Sequence, residues 1–152
     1  MIKLSFEQHW RVRRSEWLLS LAVLLLGMLW GAHPQIFQLQ TFSAMRGMLA
    51  PATWAAIGMA IGLARVTVLY VNGVWHASPH MRAGAAFCSG FLWTALFLAA
   101  LASDELGVGV VLWPLFFFFD ALSAVDAAAD ARASDLKTNK RIGARQNVHA
   151  EH

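Results

Sequence analysis

Four long stretches of the chain hold almost no polar residue: 17–32, 50–72, 83–102 and 106–125. A helix needs about 17–25 apolar residues to cross the hydrocarbon of a bilayer. The first stretch is at the short end of that range, and the other three reach it comfortably. Alternation of period two, the mark of a membrane β-barrel, is absent. The pattern predicts an all-α membrane protein with four transmembrane helices. It also divides the chain into a basic amphipathic N-terminal segment, 1–16, a transmembrane domain, 17–133, and a polar tail, 134–152. The tail has few apolar residues to bury, so its composition predicts disorder.

The breaks between the stretches carry their own signals. "SFEQ", residues 5–8, fits a capping box with Ser5 as N-cap and Gln8 three residues on. Ile2, Phe6 and Trp10 alternate with basic residues. This suits either a short helix lying on the membrane surface or a frayed basic terminus. Between the first two stretches, Leu39, Phe42, Met45 and Leu49 fall at helical spacing. That segment is either an interfacial amphipathic helix or an irregular loop against the membrane. Pro51 suits the first turn of the second helix, where its missing N–H costs nothing. Asn72-Gly73 is expected to end that helix, with glycine in the left-handed cap position. Gly73, Trp75, Ser78, Pro79 and Arg82 then make a tight turn, with Trp75 at aromatic-belt level. Pro114 in the fourth stretch can kink its helix. The alanines of "DAAADARA" favour helix just beyond it.

Composition agrees with the pattern. The chain is 58% hydrophobic and 14% charged, against roughly 45–50% and about 25% in soluble domains. Cys88 is the single cysteine, so no disulfide forms within the chain, and it is expected to pack as a small residue. The net charge of +3 reads as membrane topology and not as a nucleic-acid footprint. Lys3, Arg11, Arg13, Arg14, Arg82, Arg132, Lys137, Lys140, Arg141 and Arg145 fall on one side if both termini share it. The other side holds Arg46 with Asp104 and Glu105. The positive side faces the cytoplasm, so a bacterial inner-membrane protein with both termini inside is expected. "LWGAHPQ" offers no cleavage site, so the first stretch reads as a retained span.

Two charges lie within the apolar stretches. An ionised side chain at membrane depth costs at least about 2.5 kcal/mol. Arg65 leans toward the bilayer centre, because side chains tilt toward the N-terminus of their helix. It lies 14 residues beyond Pro51, and Asp120 lies 14 residues beyond Leu106 on a helix of the same direction. Both sit about 21 Å along their helices at 1.5 Å per residue. Matching depth and opposite sign predict an Arg65–Asp120 ion pair. Gly58, Gly62 and Asn72 share the Arg65 side, and "GMAIG" permits close helix packing. The pair is either structural glue or a gate or ion site.

The sequence holds no phosphate-binding loop, no dinucleotide fingerprint and no metalloprotease motif. Pro79 breaks the helical spacing of His76 and His80, so no metal site is expected there. No enzyme activity and no cofactor are expected. "RVTVLYVNGVWHASPHMR", Arg65 to Arg82, resembles a segment of small membrane proteins of tailed phages and prophages, through Arg65, Asn72, Gly73, Trp75, Ser78, Pro79 and Arg82. Such proteins look like holins in size and layout. The leading expectation is a phage-type, holin-like inner-membrane protein that oligomerises through its glycine-bearing faces and permeabilises the bilayer. Two further readings stand beside it: a non-catalytic assembly or regulatory subunit of a larger membrane complex, and a small ion or proton channel using Arg65 and Asp120. The expected partners are the lipid bilayer and either copies of itself or a membrane complex, without nucleic acid.

Overall fold

The computed structural model describes residues 14–74, 79–103 and 107–150. Among these residues the regular structure is all helical: α1 (Arg14–Ala32), α2 (Ser43–Met48), α3 (Pro51–Val74), α4 (Pro79–Leu101) and α5 (Gly109–Ala150), with 3-10 turns at Pro34–Gln38 and Gln40–Phe42. Four of the helices contain segments long and apolar enough to cross a membrane: Arg14–Ala32, Pro51–Val71, His80–Leu101 and Gly109–Ala129. Prolines open α3 and α4, where a first-turn residue needs no N–H partner. Glu16 lies in the first turn of α1, where the helix dipole favours a negative charge.

The four long helices pack as two hairpins. In the first, α1 lies along α3; in the second, α4 lies along α5; the hairpins meet along α3 and α4. Glycines set the first hairpin's spacing. A Cβ on Gly27 would stand 2.7 Å from the Gly58 carbonyl carbon, and one on Gly62 would stand 2.7 Å from Leu24 Cβ. Both distances are inside van der Waals contact, so the α1 and α3 backbones touch where side chains would separate them.

The core is divided along its length. At the end nearest α2 it is apolar and aromatic: Val23, Trp30, Phe37, Met45, Trp54, Leu92, Trp93 and Leu96 are buried together. The α1–α3 connection closes this end. Phe37 meets Trp30 edge-on at 5.4 Å, Phe42 meets Trp30 at 6.2 Å, Trp54 Nε1 donates to the Met45 carbonyl at 2.9 Å, and Arg46 Nη1 donates to the Phe37 carbonyl at 3.3 Å. The other end of the bundle holds charge.

Several sequence-based expectations change. Leu39, Phe42, Met45 and Leu49 do not share one helical face: the backbone is extended at Leu39 and again at Leu49. Met45 is buried while Leu39 and Leu49 are exposed. Packing on Trp30 and the indole bond to Met45 win over the local period. Gly73 does not terminate its helix in a left-handed conformation. α3 runs on to Val74, and no described glycine has positive φ. Cys88 is exposed on the outer side of α4 and is not a packing residue. α5 does not stop at the polar tail but continues as helix to Ala150. The segment after Ala129 is rich in alanine, arginine and lysine, all good helix formers, and contains no proline. The N-terminal features at 1–13 and the turn residues Trp75 and Ser78 lie outside the described residues.

Candidate functional site

Arg65 and Asp120 meet. Arg65 Nη1 stands 2.5 Å from Asp120 Oδ1, and the side chains are 3% and 1% exposed. Arg65 projects from the middle of α3, and Asp120 comes from α5 across the hairpin boundary. Two α4 residues complete the cluster. Ser89 Oγ accepts a hydrogen bond from Arg65 Nη1 and donates to Asp120 Oδ2 at 2.5 Å. Trp93 Nε1 donates to the same oxygen at 2.9 Å. Ser89 and Trp93 are four residues apart and so share one face of α4. The carboxylate therefore receives three donors from two helices. Such charge-assisted bonds are about twice as strong as neutral ones.

A layer of rings covers the cluster on its apolar side. Trp93 stacks on Trp113 with centroids 5.8 Å apart and 12° between planes, and Phe116 packs against Trp93 at 4.9 Å. Water is kept from the pair on that side, which strengthens its electrostatics.

A second ion pair lies nearer the Arg14 end. Arg82 Nη2 stands 2.6 Å from Glu16 Oε1, and Arg82 Nε donates to Glu16 Oε2 at 3.3 Å. Both groups are buried. The fork-to-fork geometry suits arginine and a carboxylate. Arg82 is thus not a loop cation: it sits in the first turn of α4, and its charge is taken up by α1.

The two pairs follow one plan. The first hairpin contributes Glu16 and Arg65; the second contributes Arg82 and Asp120. Each hairpin carries one buried charge of each sign, and both bridges cross the boundary between hairpins. The pairing of hairpins is fixed by charge, while the spacing within the first is fixed by glycine.

Gly58 and Gly62 face α1, adjacent to the Arg65 side, and their packing is spent inside the chain. Gly73 lies within α3 and Pro79 begins α4; the side chain of Asn72 lies outside those described. Sequence reasoning missed Ser89, Trp93, Glu16 and the pairing of Arg82. The four-residue spacing of Ser89 and Trp93 was a usable signal for the first two. Glu16 was hidden by starting the first apolar run at Trp17; the helix begins three residues earlier, at Arg14, and includes it. Among the described residues, no group of three or more histidine, cysteine, aspartate or glutamate side chains is placed to hold a metal ion.

Fold and site define the class: an all-helical bundle of two hairpins, with four helices able to cross a membrane and two buried ion pairs between them. Comparison with protein-family models, curated proteins and solved structures gives no match for the chain.

Proposed function

We propose that the protein is a non-catalytic assembly subunit of a bacterial inner-membrane complex. Its four spans form an anchor, and α5 forms an arm that reaches a partner. The observation that carries this reading is the length of α5. Its apolar segment ends at Ala129, yet the helix continues to Ala150, about 31 Å further at 1.5 Å per residue. That arm carries Arg132, Lys137, Lys140, Arg141 and Arg145. Within the membrane, Arg65, Asp120, Glu16 and Arg82 are engaged with one another, which suits a scaffold better than a conducting site. The cations at the two ends of the chain support a reading with both termini in the cytoplasm, in which the arm points inward.

The holin-like reading assigned oligomer contacts to glycine-bearing faces. Gly27, Gly58 and Gly62 are occupied within the first hairpin, so a permeabilising oligomer would need another surface. The experiment compares the full chain with a version truncated after Ser134. The full chain is expected to co-purify with a fixed membrane partner, and truncation is expected to lose the partner while leaving membrane yield nearly unchanged. Lysis on expression, with no partner recovered, would overturn the assembly reading in favour of the holin-like one.

A further inference from the structure

Between the two ion pairs lies a cleft of about 10 Å³, the smallest space that holds one water molecule. Its lining is Glu16, Arg65, Arg82 and Ser123, walled by Val68, Leu69 and Ala85. Three of the four polar side chains are more than nine-tenths buried. A buried water is retained where it finds two to four polar partners, and this cleft offers them from α1, α3, α4 and α5. Empty apolar cavities stay dry; this space is edged by two guanidinium groups, a carboxylate and a hydroxyl.

The cleft has a direction. Glu16 and Arg82 belong to the first turns of α1 and α4, at the Arg14 end of the bundle. On the other side of Arg65, Trp93, Trp113 and Phe116 close the way, with Leu92 and Leu96 buried beside them.

We propose that this cleft is a one-sided hydration site: a bound water joins the Glu16–Arg82 pair to the Arg65–Asp120 pair, entering from the Arg14 end and going no further than the tryptophan layer. Arginine at membrane depth is tolerated where it faces a water-filled cavity, and the bound water lowers the cost of the guanidinium without opening a pore. The inference does not depend on the assembly role.

Radiolytic hydroxyl-radical footprinting of the full chain in lipid nanodiscs tests it, because radicals generated from bound water oxidise the side chains it touches. Leu69 is buried, as are Leu92 and Leu96, so none of the three is open to bulk solvent. Oxidation is expected at Leu69 and not at Leu92 or Leu96. Ser123→Leu fills the cleft and is expected to abolish oxidation at Leu69. Should that variant not fold, Ala85→Leu fills the same space from α4. An unmodified Leu69 in the native chain would show a dry cleft and overturn the proposal. Oxidation of Leu92 and Leu96 as fast as Leu69 would show a through-going route and overturn its one-sidedness.

Discussion

Asp120 is the most demanding residue in the bundle, because a buried carboxylate needs a donor on each of its oxygens. Arg65, Ser89 and Trp93 answer it together. Hydrogen bonds to charged groups contribute about 1.5–3 kcal/mol each. Ser89→Ala and Trp93→Phe are each expected to lower unfolding free energy in bicelles by about that amount. A change within error for both would mean that Arg65 alone neutralises the carboxylate. The meeting of Arg65 with Asp120 was legible in the sequence, because depth along a helix is simple arithmetic and a lone intramembrane cation calls for an anion. Ser89 and Trp93 were less legible. Serine and tryptophan are ordinary membrane-helix residues, and only the rotation of α4 decides whether their polar atoms face Asp120 or lipid. Glu16 and Arg82 stood at the ends of apolar runs, where solvent normally hydrates a charge and no partner is demanded.

At the scale of the helices, small residues decide how closely the elements approach. A Cβ at Gly62 would meet the backbone of Leu24, which cannot move aside, whereas a Cβ at Gly90 would meet the Phe117 ring at 3.6 Å, an ordinary contact. Gly62→Ala is therefore expected to cost about 1–3 kcal/mol through overpacking. Gly90→Ala should be neutral or slightly stabilising, since alanine is the better helix former by about 0.8–1 kcal/mol. Equal effects of the two changes on thermal stability would contradict the hairpin packing. The four long helices were legible because twenty-residue apolar runs have few other solutions. Their ends were less so. The α1–α3 connection forms two 3-10 turns and a short helix, because Phe37 and Met45 are drawn onto the Trp30 and Trp54 surface. Helical spacing in the sequence carried no sign of that tertiary pull. The continuation of α5 to Ala150 was missed for a related reason. Low apolar content argues against burial, but it does not argue against a helix built from alanine, lysine and arginine.

For the whole molecule, the governing feature is two hairpins held together by crossed charges. Each hairpin presents one buried cation and one buried anion, and each of these charges meets its counter-ion on the other hairpin. Docking answers all four. Replacing a buried pair with apolar residues is often neutral or stabilising, while removing one partner costs about 3–5 kcal/mol. The bridges thus specify which faces meet more than they add net stability. The measurement that tests this most directly is a double-mutant cycle on Arg65 and Asp120, read as unfolding free energy of the full chain in bicelles. Arg65→Leu and Asp120→Leu should each lose about 3–5 kcal/mol, and the double change should recover most of that loss. Strictly additive losses in the double variant would mean that the two residues do not act on each other, and the crossed-charge account of the fold would be wrong.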